Sequence, residues 1–282
     1  MKSSSYLIVL DGSAESLAAA HCAWSLAAES GSRVDAQYVI DTESIWRFLS
    51  WERPGFVGSG VFIEASDKIK AVMQHVAETV VLSYRTQMEG RCLEFETYID
   101  SGCPVEQIVA RAAGRDLVIV GYHSPKRPGD VSLAELVAAR SPCPVIAVRG
   151  LAYGWSKMEV FLGKDMANET AVKEIYALAA WMGMGAEVVL SPEVKDMDPQ
   201  TYMMGGWSRA FGVEAVRSGK LGDLVSTAAD DALMVVGAEQ LEARDGHGSE
   251  AVREFLEGSE RRAILFWPAP VNSGKTLASA AG

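Results

Sequence analysis

Two stretches of this chain read as diverged copies of one another. Segments 101–121 and 218–237 both begin with Ser-Gly and end in an apolar run closed by Gly, and they align when one residue is deleted. Upstream, residues 26–31 and 178–183 repeat the pattern Leu-Ala-Ala followed by Gly at a constant offset. Self-similarity over so long a period predicts two related domains in tandem.

Length and composition agree with this division. A chain of 282 residues is typical of two ordinary domains, and its 49% hydrophobic and 22% charged residues are those of a globular protein. We expect a first domain at 1–150 and a second, shortened domain at 155–269. Residues 270–282 are small and polar, and we expect a disordered tail there.

The balance of charge excludes some classes of partner. The net charge of −11 argues against nucleic acid, because a phosphate backbone would be repelled. No apolar stretch approaches the roughly 18 residues of a membrane span, and the N-terminal apolar run is too short for a signal peptide. We therefore expect a cytoplasmic protein. Its four cysteines and four histidines show no ligand spacing, so no metal site is predicted.

Short apolar runs alternate with helical patterns along the chain, which predicts an α/β fold with helices on both faces of a parallel sheet. Strands are predicted at 6–10, 34–40, 93–99, 117–120, 145–148, 159–162, 187–190, 213–216, 233–236 and 264–267. Helices are predicted at 13–30, 67–90, 104–113, 131–139 and 168–182. The aromatic-rich connection 42–63 is expected to be irregular.

Several segments of the first half together resemble the universal stress protein family. They are 6–13 (YLIVLDGS), 39–41 (VID), 102–108 (GCPVEQI), 116–121 (DLVIVG) and 141–149 (SPCPVIAVR). The likeness covers residues 5–149 and is traceable across 157–268, as in a tandem, two-domain bacterial member. It implies two Rossmann-like, adenine nucleotide alpha hydrolase-like sheets of five parallel strands each. It also implies an internal pseudo-dimer, with strand 145–148 antiparallel to strand 264–267.

The same resemblance implies an ATP site in the first domain. Such a site uses the carboxylate after the first strand, the end of the second strand, and a glycine-rich turn after the fourth strand that leads into a helix N-terminus. Carried onto this sequence, those positions are Asp11, Gly12, Val39, Gly121, Ser124, Gly129 and Ser132.

The glycine-rich turn departs from the family's pattern of Gly, two residues, Gly, nine residues, then Gly-Ser or Gly-Thr. Gly121 fits the first position, but Ser124 stands at the second and Ala134-Glu135 at the last. Side chains there would hinder the close approach of a phosphate, and a glutamate would repel it. His123, Lys126 and Arg127 in the same loop would attract it, so ATP remains an alternative.

The second half departs further from the pattern. Gly163 stands opposite Asp11, and two acidic residues fall within 238–242, where phosphates would bind. We expect no ATP in this half.

These departures favour a non-enzymatic stress-response protein that binds a ligand or another protein, since no constellation of catalytic groups is evident. One alternative is an ATP-binding nucleotide sensor or weak ATPase working through the first domain. Another is a carrier of small apolar ligands, lined by the aromatic residues of 46–62 or by 203–207. A further homodimer, beyond the internal pair, is left open.

Overall fold

A computed structural model describes ten ranges of the chain: 4–50, 59–91, 93–125, 131–150, 154–164, 166, 169–182, 184–194, 213–241 and 247–268. The predicted tail at 270–282 and the apolar stretch at 203–207 lie outside these residues.

The first half alternates strands and helices much as the sequence predicts. Its elements are β1 (Ser5–Leu10), α1 (Ala14–Ser30), β2 (Arg33–Asp41), α2 (Thr42–Ser50), α3 (Ser59–Glu89), β3 (Thr97–Gly102), α4 (Pro104–Ala112), β4 (Leu117–Gly121), α5 (Leu133–Ala138) and β5 (Val145–Val148).

The second half repeats the five strands with fewer described helices. Its elements are β6 (Lys157–Leu162), α6 (Glu169–Trp181), β7 (Gly185–Leu190), β8 (Val213–Ser218), α7 (Leu221–Thr227), β9 (Ala232–Gly237), a 3-10 turn (Ala238–Leu241), α8 (His247–Gly258) and β10 (Ala263–Trp267). As the sequence offset predicts, Gly163 directly follows β6 just as Asp11 directly follows β1.

All ten strands form one continuous sheet in the order β3-β2-β1-β4-β5-β10-β9-β6-β7-β8. Strands within each half are parallel, and the halves meet where β5 runs antiparallel to β10, with Val145 opposite Phe266 and Val148 opposite Ala263. The predicted α/β fold and the predicted pairing of the last strands are confirmed. This pairing hides two strand edges that would otherwise be open to association. The domain limits at 1–150 and 155–269 stay a prediction.

Side chains alternate along the strands and form one apolar core on each face of the sheet. One core lies beneath α1, α3 and α6, and the other beneath α4, α5, α7 and α8. Both continue across the junction between the halves: Ile146 and Leu265 belong to the first core, and Ala147 and Ile264 to the second. The halves therefore share their cores as well as their sheet.

Helix α1 lies close to the sheet because its inner face is built from small residues. Ala19, Ala20, Ala23 and Ala27 are fully buried there. The Ser13 hydroxyl caps the helix by accepting the Ser16 N–H at 3.0 Å, as expected for a residue at this position. The predicted helix at 13–30 is confirmed.

The irregular connection predicted at 42–63 is wrong where the structure describes it. Helix α2 begins directly after β2, and Asp41 caps it by accepting the Ser44 N–H at 2.9 Å. Helix α3 begins at Ser59, earlier than the predicted residue 67. The aromatic residues obscured a helical pattern, and Asp41, the last residue of β2, also caps the helix that follows.

Strand β3 also differs from the prediction, which placed it at 93–99. Its ladder with β2 pairs Ala36 with Thr97 and Asp41 with Gly102, so the strand lies later in the chain. The alternation of apolar residues at 93–99 indicated a strand, but the end of β2 determines where pairing stops.

Cys22, Cys103 and Cys143 are free thiols in the described residues. Burial raises the pKa of the Cys22 thiol to about 12, which makes it unreactive. Within the described residues, no helix combines the length and the apolar character needed to cross a membrane.

Glu159 is a carboxyl group inside the second half of the sheet. It lies on β6, is 2% exposed, and its Oε1 accepts the Ala229 N–H at 3.3 Å. Burial raises its pKa above the ordinary value, although that hydrogen bond and the charge of Lys157 oppose the change. Ionised Glu159 therefore destabilises the fold.

A pH-dependent stability follows. Because the pKa of Glu159 is raised in the folded state, protonated Glu159 adds to the free energy of unfolding at low pH. This contribution is lost as pH rises through the folded-state pKa. We expect Glu159→Gln to stabilise the protein at about pH 8, with the difference from wild type shrinking toward about pH 4. Urea unfolding at both pH values measures this, with the exposed Glu78→Gln as control. An equal difference at both pH values would contradict the assignment.

Candidate functional site

The candidate site lies where β1 and β4 end side by side. The first half has the strand order β3-β2-β1-β4-β5, so chain connections diverge to opposite sides between β1 and β4. Ligands of open α/β sheets bind outside the carboxyl ends of the strands at such a switch point. Asp11 follows β1 at this point, and Tyr122 and His123 follow β4.

Asp11 is held by two groups at the switch point. Its Oδ1 accepts the N–H of Ser13 at 2.8 Å, and its Oδ2 lies 2.9 Å from Nε2 of His123. The Asp11 side chain is 43% exposed and that of His123 is 45% exposed. The carboxylate therefore faces solvent but is already engaged by the protein.

His123 links the loop after β4 to the start of α1. Its Nε2 also lies 3.3 Å from the Ser13 hydroxyl oxygen, and its Nδ1 lies 3.6 Å from Oε2 of Glu15. The sequence suggested that this histidine would attract phosphate. The structure places its ring between two carboxylates of the first half, those of Asp11 and Glu15.

The protonation state of Asp11 follows from these contacts. Partial burial by itself would raise its pKa, but hydrogen bonds from Ser13, Ser16 and His123 outweigh burial, and the pKa is lowered. Asp11 is therefore an anion at neutral pH. Burial and the nearby charge of Asp11 together raise the pKa of Tyr38.

Glycine is needed at two positions of the site for reasons of backbone geometry. Gly12 has a φ of +83°, which residues with a Cβ rarely adopt. A Cβ on Gly121 would lie 2.6 Å from the carbonyl carbon of Glu15 and 2.7 Å from the backbone nitrogen of Ser16. The close packing of α1 on β4 therefore explains Gly121 without any ligand.

Ser132 and Glu135 satisfy each other at the start of α5. The Ser132 hydroxyl accepts the Glu135 N–H at 3.2 Å, and Glu135 Oε2 accepts the Ser132 N–H at 2.9 Å. Both side chains are buried, Glu135 with 1% exposure. This reciprocal arrangement is a capping box, and it occupies two of the backbone donors that a phosphate would need.

Glu135 also connects the two halves of the chain. Its Oε1 lies 3.7 Å from Nε of Arg253 on α8. The sequence suggested that Glu135 would face the phosphates. It is instead turned inward, held by the cap on one side and by Arg253 on the other.

The remaining predicted site residues are more scattered. Val39 is half-buried and packs on the core beneath α4 and α5, and Ser124 is exposed after β4. Gly129 lies outside the described residues, as do Lys126 and Arg127. The structure thus brings Asp11, Gly12 and Gly121 to adjacent strand ends. Ser132 caps its own helix, α5.

The corresponding position of the second half is filled by a carboxylate. A Cβ on Gly163, at the end of β6, or on Gly237, at the end of β9, would collide with the carboxylate of Glu239. The two glycines therefore accommodate a protein side chain at the switch point. That this half binds no ATP stays a prediction.

The sequence analysis did not identify a cluster of two glutamates and a cysteine, because its members come from separate elements. Atoms of Glu43, Cys103 and Glu106 lie within 4.8 Å of one another. Glu43 is in the first turn of α2 and Glu106 in the first turn of α4, which Cys103 precedes. Carboxylates at these positions interact favourably with the helix dipoles, which accounts for the cluster.

Trp46, one of the aromatic residues suggested to line an apolar pocket, lies on α2 and is largely exposed. The Lys70 ammonium sits 5.6 Å from its ring centre. Phe62 and the stretch 203–207 lie outside the described side chains. Sequence reasoning also missed His123 as the partner of Asp11.

Comparison with known proteins supports the resemblance noted in the sequence. The sequence model of the universal stress protein family matches residues 5–149. No curated protein matches the chain. Among solved structures, the chain is similar in fold to a universal stress protein from Archaeoglobus fulgidus DSM 4304. The two are 14% identical, with a TM-score of 0.61 and coverage of 95% of this chain and 97% of that one.

Two other solved structures show the range of similarity. A universal stress protein from Lactobacillus plantarum is 22% identical, with a TM-score of 0.38 and coverage of 53% of this chain and 99% of its own. A functionally unknown protein from Pseudomonas aeruginosa PAO1 is 13% identical, with a TM-score of 0.48 and coverage of 95% of this chain and 93% of its own.

Gly121 offers a direct test of the packing at the site. We expect Gly121→Ala to lower the free energy of unfolding by about 1–3 kcal/mol, because backbone atoms of α1 must move away from the new Cβ. Urea unfolding measures the change. Gly222→Ala on α7 is the matched control. Apart from its chain neighbours and the backbone of its own helix, no heavy atom lies within 4 Å of its Cβ position, and the substitution should stabilise by about 0.5–1 kcal/mol. Equal effects of the two substitutions would show that Gly121 is not needed for packing.

Proposed function

Because the chain belongs to the universal stress protein family, we propose that it acts in the stress response as a non-enzymatic binding protein. In this proposal the first-half switch point has lost nucleoside triphosphate binding. The observation that carries the proposal is the capping box of Ser132 and Glu135, which places a buried carboxylate where the phosphates of a nucleotide would meet α5.

The geometry around His123 supports a role without catalysis. Ser13, His123 and Glu15 approach one another in the order of a nucleophile, a base and an orienting acid. However, Asp11 Oδ2 lies 2.9 Å from the same Nε2 that Ser13 would need as its base, against 3.3 Å for the Ser13 hydroxyl. A carboxylate that accepts from Nε2 requires that nitrogen to carry hydrogen, so Nε2 cannot take the proton of Ser13.

The Ser13 hydroxyl has a structural task as well. It accepts the Ser16 N–H and so begins α1. A serine that serves as a helix cap and has no free base beside it is poorly suited to attack a substrate.

The buried contacts of Glu135 support the loss of triphosphate binding. A phosphate at the start of α5 would compete with a carboxylate that is covalently tied to the same helix and held by Arg253. It would also meet the negative charge of that carboxylate at short range, where repulsion is strong.

A second candidate function is an ATP sensor or weak ATPase built on the seven residues that the family pattern assigns. The half-exposed carboxylate of Asp11 at the switch point favours it. A nucleotide bound there would compete with His123 for the Asp11 carboxylate, whose Oδ2 lies 2.9 Å from the His123 Nε2.

Calorimetric titration with magnesium-ATP distinguishes the two functions. We expect wild-type protein to give no saturable heat up to about 1 mM ATP. A dissociation constant of that size corresponds to a binding free energy of only about −4 kcal/mol. The triple variant Ser124→Gly, Ala134→Gly, Glu135→Ser restores the family pattern and should bind ATP more tightly. Adding Asp11→Ala to the triple variant should weaken that binding again.

Thermal unfolding of each variant, followed by circular dichroism, controls for loss of the fold. Micromolar binding by the wild type that Asp11→Ala weakens would establish the ATP sensor and overturn the proposal. Release of phosphate from ATP by the wild type would overturn its non-enzymatic part.

A further inference from the structure

A groove of about 1050 Å³ runs across the junction of the two halves, on the face that carries α1 and α6. Ser4, Arg115 and Asp116 line it, and these residues precede β1 and β4. The groove therefore lies at the opposite end of these strands from the switch point. None of the predicted ATP-site residues that the structure describes lines it.

The floor and walls of the groove are largely apolar and come from both halves. Ile146 of β5 and Leu265 of β10 lie side by side in the floor, where the two strands pair. Leu26 of α1 forms one wall, and Leu178 and Met182 at the end of α6 form the other. Mostly apolar clefts of several hundred Å³ between helices are typical small-molecule sites.

The rim of the groove is acidic. Glu29 on α1, Glu174 on α6 and Asp116 before β4 are exposed carboxylates on it. The guanidinium of Arg115, also on the rim, is held by buried Asp35, with Nη1 2.7 Å from Oδ2. Asp35 also pairs with Arg33, whose second partner is Glu96, so these four charges balance one another. Asp116 Oδ2 accepts the Ser5 N–H at 2.8 Å, and the acidic character of the rim therefore comes mainly from Glu29 and Glu174.

We propose that this groove binds a small amphiphile with an apolar body and a protonated amine. The apolar body would lie over Ile146 and Leu265, and the amine would face Glu174 and Glu29. The inference rests on the proposed binding function and gives that function a site and a class of ligand.

Charge complementarity selects the amine over other head groups. A carboxylate or phosphate head would face the rim carboxylates with like charge, whereas an ammonium would be attracted by Glu29 from the first half and Glu174 from the second. The volume selects a small molecule, because it corresponds to the upper range of pockets that enclose drug-sized ligands. Helices α1 and α6 stand on either side, so an elongated body fits along the strands between them.

Three probes of equal chain length test the head group on the full chain. We expect decylamine to bind more tightly than decanol, and decanol more tightly than decanoate, in calorimetric titrations below micelle formation. Trp267 lines the groove, so its fluorescence should change on binding, and Trp267→Phe should remove that change.

Paired variants distinguish the contribution of the rim carboxylates to binding from that of the apolar walls. Glu174→Gln should weaken decylamine about two- to five-fold and leave decanol unchanged, as expected for one partly exposed ion pair. Glu78→Gln, on α3 away from the groove, should alter neither. Leu178→Trp places a larger side chain in the groove and should weaken the binding of all three probes. Leu82→Trp, at an exposed position of α3, should leave their binding unchanged.

Several outcomes would overturn the inference. Equal affinity for the three probes would do so. So would an affinity for decylamine that Leu178→Trp leaves unchanged. Another is binding that appears only when the chain is cut after Pro268, which would assign the groove to residues 269–282. A concentration-dependent dimer in sedimentation that Leu178→Trp disrupts would assign it to a second copy.

An ATP titration run alongside keeps the two proposals apart. Absence of amphiphile binding together with absence of ATP binding removes the groove inference alone. ATP binding or hydrolysis removes the proposed function, whatever the amphiphile does.

Discussion

The antiparallel pairing of β5 with β10 is the contact on which the rest of the structure depends. It joins two five-stranded units into one sheet and lets each apolar core run across the junction. It also brings α5 next to α8, so that Glu135 reaches Arg253, and α1 opposite α6 across the groove. Features that neither half would have alone therefore arise at this junction.

The candidate site combines a packing requirement of the fold with side chains that meet at the strand ends. The close approach of α1 to β4 requires glycine at 121, whether or not a ligand is present. The donors at the start of α5 are taken by Ser132 and Glu135 in the first half, and in the second half the Glu239 carboxylate lies at the ends of β6 and β9. Side chains of the protein thus lie outside the ends of the strands, in the region where ligands of open α/β sheets bind.

The strands were the best-predicted elements, because a strand buried on both faces is a continuous apolar run, as at 117–120 and 145–148. Helix α1 was predicted from its cap and its terminal glycine. Helix α2 was missed because its aromatic residues resembled a loop. The positions of the site residues followed from the strand ends. Their contacts did not, because His123 and Asp11 are far apart in the chain and meet through the pairing of β1 with β4.

The sequence by itself determined the α/β class, the tandem repeat and the family, since these follow from local periodicity and from motifs that recur in order. The pairing of the last strands was implied by the family resemblance that those motifs carry. The tertiary structure decided the direction of Glu135, the partners of His123, the carboxylate between Gly163 and Gly237, and the groove between α1 and α6. Each of these depends on distances between segments remote in the chain. Periodicity carries no information about such distances, because only packing brings those segments together.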